Sequence, residues 1–94
     1  MTAVVFEPWG PFGGHVIDRA TETLYRVSVE NEEPSTFPTS ERIARAWEEA
    51  VPDAGPARVV GRYKACIMLV LPKGMNKSRR RAFEAWLAEQ VTKA

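Results

Sequence analysis

The clearest pattern of apolar and polar positions in the chain predicts a helix near its middle. Apolar residues recur there at helical spacing on one face, namely Ile43, Ala44, Trp47, Ala50 and Val51. Charged residues occupy the other face, as in an amphipathic helix that packs on a core. Thr39 or Ser40 can accept a hydrogen bond from the first turn, and Pro52 ends the helix.

A second helix is predicted in the last part of the chain, after the helix-breaking segment 72–75. It begins at Asn76 or Ser78, either of which can cap its first turn. The apolar residues at helical spacing form its inner stripe, and these are Phe83, Trp86, Leu87 and Val91.

Strand-like patterns occur before and between the two helices. Residues 3–6 form a short β-rich run, and segments 15–18 and 24–30 flank a polar stretch in the manner of a β-hairpin. Segment 58–71 is predicted to be one strand, apolar on both faces in its second half, as expected of a central strand. Gly61 within it indicates a bulge or bend.

The element order is therefore β-β-β-α-β-α in a single domain of 94 residues. The simplest assembly is an α+β two-layer sandwich, with a mainly antiparallel sheet of about four strands and both helices on one face.

The single cysteine, Cys66, excludes an internal disulfide framework. No apolar run approaches the roughly 20 residues of a membrane span, and no secretory signal is visible, so we expect a cytoplasmic protein.

Charge separates along the chain at Pro56. Residues 1–56 carry ten acidic groups and four arginines, a net charge of −6, whereas residues 57–94 carry nine basic and two acidic groups, a net charge of +7. Such asymmetry between the two halves of a chain indicates an interaction with something charged.

Five cations crowd at the predicted start of the second helix, and these are Lys73, Lys77, Arg79, Arg80 and Arg81. A helix N-terminus already carries about +0.5 of a charge, so acidic residues are preferred there. The arrangement becomes favourable once an anion docks, because the exposed N–H groups and the side chains then act together. The alternative is that these cations pair with the acidic half or only keep the chain soluble. Arg62 and Lys64 would extend the cluster if their strand face is open.

A second candidate contact site is the glycine- and proline-rich segment 8–15, which holds Trp9 and Phe12. Large aromatic side chains in such a loop are typical of contact surfaces, since they offer area at low entropic cost. The alternative is that both side chains fold back and cap the small core.

The chain contains few residues of the types that usually carry out catalysis. His15 and Cys66 are the only histidine and cysteine, so a nucleophilic pair requires that they meet in space. Cys66 lies in the most apolar segment, where a thiol is normally inert. These residues cannot supply a zinc site, and no glycine motif that cradles phosphate occurs. We therefore expect no enzyme, no metal and no cofactor.

The chain is thus predicted to be a small protein-interaction module or inhibitor. It would dock an acidic protein partner through the basic helix start and the aromatic loop. The alternative is a nucleic-acid-binding accessory protein that contacts phosphates through the same cations, although the pI of about 7.9 is modest for that role. Association of the oppositely charged halves in a homodimer is a further option, and no membrane partner is expected.

Overall fold

The computed structural model describes residues 4–10, 17–18, 20–30, 35–74 and 77–93. In chain order the elements are β1 (Val4–Pro8), β2 (Glu22–Val29), β3 (Ser35–Thr36), α1 (Ser40–Ala50), β4 (Arg58–Arg62), β5 (Cys66–Pro72), α2 (Lys77–Gln90) and β6 (Thr92–Lys93). Neither helix in these ranges has the length and apolar character that crossing a bilayer requires.

The four longer strands form one antiparallel sheet in the order β1-β2-β5-β4, and both helices pack on the same face of it. This confirms the predicted α+β sandwich. The short strands β3 and β6 pair with each other in a separate two-stranded sheet. β5 is buried along its whole length, as expected of a central strand.

The segment predicted as one long strand is instead two antiparallel strands, β4 and β5. They are joined by a tight turn in which the amide of Tyr63 donates to the carbonyl of Cys66 at 2.9 Å. The turn contains neither glycine nor proline, so the local sequence carries no signal for it. The predicted irregularity at Gly61 is confirmed, because the register shifts between Val59 and Gly61.

The predicted hairpin between segments 15–18 and 24–30 is wrong. The two sides of β2 are occupied by β1 and β5, with Val4 opposite Val29 on one side. Asp18 instead lies in a turn, where its carbonyl accepts from the amides of Thr21 and Glu22. Alternation identifies a strand but not its neighbour, so a sequential hairpin and a longer-range pairing have the same pattern.

The main core lies between the helices and the sheet face that they cover. Trp47 of α1 is fully buried, and its ring meets that of Phe83 of α2 edge-on, with 5.0 Å between the centroids. The indole N–H of Trp47 donates to the carbonyl of Gly55 at 2.8 Å. The predicted inner stripe of α2 is confirmed in Phe83 and Leu87, which are buried, and Trp86 is half-buried against them. Val91, which the prediction also included, is buried directly after the end of the helix.

The opposite sheet face is covered at its centre and exposed at its margins. Leu24, Met68 and Val70 form a second buried cluster there, and Ile17 and Val60 pack against it. Large hydrophobic side chains with substantial exposure among the described residues are Val5, Trp9 and Tyr63. Strand alternation and side-chain contacts place all three on this second face.

Helix α1 begins with the predicted threonine cap, because the Thr39 hydroxyl accepts from the amide of Arg42 at 3.2 Å. Replacing Thr39 with Ala is expected to lower the free energy of unfolding by about 1 kcal/mol. Thr39→Ser keeps the hydroxyl and is expected to retain most of that stability. Urea unfolding followed by circular dichroism measures both changes, and equal losses would show that the cap is not their cause.

Candidate anion-binding site

Three of the five clustered cations line one shallow depression where β2, the end of β5 and the start of α2 meet. Its volume is about 200 Å³, and it is lined by Thr23, Tyr25, Pro72, Lys73, Gly74, Lys77 and Arg80. Arg79 and Arg81 are exposed on α2 close by, but they do not line the depression. The structure therefore brings Lys73, Lys77 and Arg80 together at one end of the sheet.

The backbone after β5 explains how residues from three elements converge. The amide of Lys73 donates to the carbonyl of Thr21 at 2.8 Å, which holds the exit of β5 beside the entry to β2. Gly74 then adopts a φ of 78°, a conformation that side-chain-bearing residues rarely take. The chain turns there towards α2, so Lys73 and Lys77 face the same depression.

Arg80 is held firmly by its neighbours. Its Nη1 donates to the hydroxyl oxygen of Tyr25 at 2.8 Å, and its guanidinium carbon lies 4.5 Å from the centroid of that ring. Its Nε donates to a carboxylate oxygen of Glu84, one turn further along α2, at 3.0 Å. Arg80 is therefore a partly buried, oriented cation.

Lys77 and Arg81 differ from Arg80, because both are exposed and have no hydrogen-bond or ion-pair partner among the described residues. Lys77 is the first residue of α2, and the first turn of this helix contains no acidic residue. The two cations are four residues apart, so they repel each other on the helix surface. This part of the cluster is locally unfavourable, as the sequence predicts.

Replacing Lys77 with Glu is expected to raise the free energy of unfolding by about 0.5 kcal/mol. The substitution places a carboxylate at the helix N-terminus and turns the repulsion of Arg81 into attraction. Lys64→Glu is the matched control, because it makes the same charge change at an exposed position outside both helices. Thermal unfolding at low salt measures both variants; no gain for Lys77→Glu over the control would contradict the electrostatic cost.

The strand cations do not extend the cluster. One amino group of Arg62 donates to the carbonyl of Pro38 at 2.6 Å and to the hydroxyl of Ser40 at 3.3 Å. Arg58 pairs with the carboxylate of Glu22 at 3.1 Å. These arginines connect the second half of the chain to the first, and Arg58 does so through an acidic residue of that half.

Trp9 lies at the same end of the sheet but on its other face. Its amide donates to the carbonyl of Leu24 at 2.9 Å, and its ring lies under the guanidinium of Arg26, 5.6 Å from the centroid. Arg26 is opposite Met68, a member of the second buried cluster. Trp9 is 42% exposed. Phe12, the other predicted aromatic contact, lies outside the described residues.

The remaining chemical candidates do not form a site in the described part of the chain. Cys66 is buried on β5, and His15 lies outside the described residues. Within the described ranges, no group of three His, Cys, Asp or Glu side chains is placed to hold a metal ion. A further depression of about 320 Å³ lies beside the end of α1, and its one charged lining residue among those described is Glu48.

Two side chains that orient Arg80, those of Tyr25 and Glu84, are not among the predicted site residues. Tyr25 lies in segment 24–30, which is predicted only as a strand, yet its hydroxyl and ring orient Arg80 from 55 residues away in the chain. No local signal could have shown this contact. Glu84 was recognisable, because a carboxylate four residues after an arginine on a helix is a favourable spacing.

No model of a known protein family matches the chain. Comparisons with curated proteins and with solved structures likewise find no significant match.

Proposed function

We propose that the chain is a non-enzymatic binding module that docks an acidic protein segment on a basic surface at the start of α2. This surface consists of Lys73, Lys77, Arg79, Arg80 and Arg81. The observation that carries the proposal is the convergence of three of these cations on one depression. A folded domain that covers an acidic functional site of its partner in this way would also inhibit that partner.

The electrostatic balance supports an anionic partner. Lys77 and Arg81 have no anionic partner among the described residues, and the first turn of α2 has no carboxylate. An acidic segment docked there would remove the repulsion between them and would also be attracted by the positive end of the helix dipole. Binding would therefore offset a repulsion between like charges that is present in the unbound domain.

The placement of aromatic side chains favours a protein over a single-stranded nucleic acid. Nucleic-acid grooves of that kind combine cations with exposed aromatic faces on which bases stack. Here Arg80 lies over the ring of Tyr25, at 4.5 Å from its centroid. The exposed rings of Trp9 and Tyr63 are on the other face of the sheet. No free aromatic face among the described residues accompanies the basic surface.

Fluorescence anisotropy with two labelled probes tests the proposal. One probe is a peptide of alternating glycine and glutamate, and the other is an oligothymidine of equal charge. We expect the peptide to bind at least as tightly as the oligonucleotide. Tighter oligonucleotide binding, with a salt slope of about one unit per phosphate contact, would replace the proposal with the nucleic-acid alternative. Binding of neither probe would reject both.

Self-association is a separate outcome of the same electrostatics. The outer face of α1 carries exposed carboxylates, among them Glu41, Glu48 and Glu49. A second copy could present that face to the basic surface. Sedimentation velocity at low and high salt distinguishes this case, because a dimer held by these charges would dissociate as salt increases.

A further inference from the structure

The charge around the depression matches a particular kind of anionic group. Lys73, Lys77 and Arg80 line it, and Glu84 is bonded to Arg80, so the formal charges of these four side chains sum to +2. A carboxylate carries one negative charge and would neutralise half of this excess. A phosphoryl group on a side chain carries about −1.5 to −2 at pH 7, which is the complementary value.

The donors around the depression also suit a phosphoryl group. Two of the N–H groups of Arg80 are used by Glu84 and Tyr25, which orients the guanidinium and leaves its Nη2 amino group without a partner among the described residues. Lys73, Lys77 and Thr23, whose side chains carry further donors, line the same space. Donors that converge from three elements match the three acceptor oxygens of a phosphoryl group better than the two of a carboxylate.

We infer that this depression binds a phosphoryl group on a phosphorylated side chain of the acidic protein partner. The inference rests on the proposed function and names the anchor group of that partner. A protein carrier is favoured over a nucleic acid because three of the cations converge on one depression of about 200 Å³ rather than follow a continuous track. Arg79 and Arg81 lie outside it, where they can contact acidic residues that flank the phosphorylated one.

Three peptides of one acidic sequence test the inference, with phosphoserine, glutamate or serine at the central position. We expect the phosphoserine peptide to bind about tenfold more tightly than the glutamate peptide, because it adds charge and a third acceptor oxygen. Equal affinities for these two peptides would overturn the inference and leave the proposed function intact. Failure of all three to bind would overturn both.

Two glutamine substitutions locate the phosphoryl site. Arg80→Gln is expected to reduce the affinity ratio between the phosphoserine and glutamate peptides to about one, because it removes the oriented donor. Arg79→Gln makes the same charge change outside the depression and is expected to weaken both peptides equally, so that the ratio persists. Loss of the ratio in both variants, or in neither, would overturn the assignment.

A further variant and a further probe complete the test. Arg80 also contacts Tyr25 and Glu84, so Lys77→Gln serves as a second lining variant at an exposed position, and circular dichroism verifies the fold of each protein. We expect Lys77→Gln to lower the ratio severalfold, and an unchanged ratio would overturn the inference. A 5′-phosphorylated oligothymidine that binds more tightly than the phosphoserine peptide would overturn the choice of a protein carrier.

Discussion

Reversing the charges of Lys77 and Arg81 together is expected to weaken binding of the acidic peptide by about tenfold or more. Both side chains are exposed and have no partner among the described residues, so little of their charge is neutralised within the domain. Each reversal replaces an attraction with a repulsion of similar size. At about 0.7 kcal/mol for each exposed site, the two sum to roughly 1.4 kcal/mol, which is a factor of ten.

The matched control reverses Arg45 and Lys64, which are exposed on α1 and on the turn between β4 and β5. This control has the same net charge as the first double variant but leaves the basic surface intact. Fluorescence anisotropy at low salt compares the two proteins. Equal losses would show that overall charge, and not the basic surface, controls binding, and an unchanged affinity in the first double variant would exclude this surface as the docking site.

The largest expected effect on stability is that of Trp47→Ala, which should lower the free energy of unfolding by about 3–5 kcal/mol. Trp47 is fully buried and lies edge-on to Phe83, so its removal opens a cavity between α1 and α2. A domain of this size has only about 5–15 kcal/mol of stability in total. Urea unfolding followed by far-ultraviolet circular dichroism measures the loss, and Trp9 and Trp86 retain a fluorescence signal.

Two companion variants assign that loss to its causes. Trp47→Phe keeps an aromatic ring but removes the indole donor to the carbonyl of Gly55, and we expect it to cost less than half as much as the alanine substitution. Trp86→Ala removes the same side chain from a half-buried position on α2. A loss for Trp86→Ala as large as that for Trp47→Ala would contradict burial as the origin of the effect.

The helices were predictable because their determinants are local. The hydroxyl of Thr39 caps the turn that follows it, and the buried faces containing Trp47 and Phe83 are visible as apolar residues three and four positions apart. For the strands, the sequence predicts an antiparallel sheet but not which strands are neighbours. β2 pairs with β1 and β5, and this choice depends on packing between segments that are distant in the chain.

The candidate site, too, was predictable from the sequence only in part. The sequence predicts the crowded cations and their unfavourable place at a helix start, and Lys77 and Arg81 occupy such a place. It did not show that Arg62 would instead bond to the carbonyl of Pro38. The structure also separates Trp9 from the basic surface, because alternate residues of a strand lie on opposite faces of the sheet.

The sequence alone was sufficient for the α+β class, the two amphipathic helices and the cations that begin the second one. These depend on spacings of a few residues and on the charge of single side chains. Only the tertiary structure decided that Lys73, Lys77 and Arg80 surround one depression with Tyr25, and that Arg58 pairs with Glu22. Such contacts join residues tens of positions apart, and their geometry exists only once the sheet has paired and α2 has packed against it.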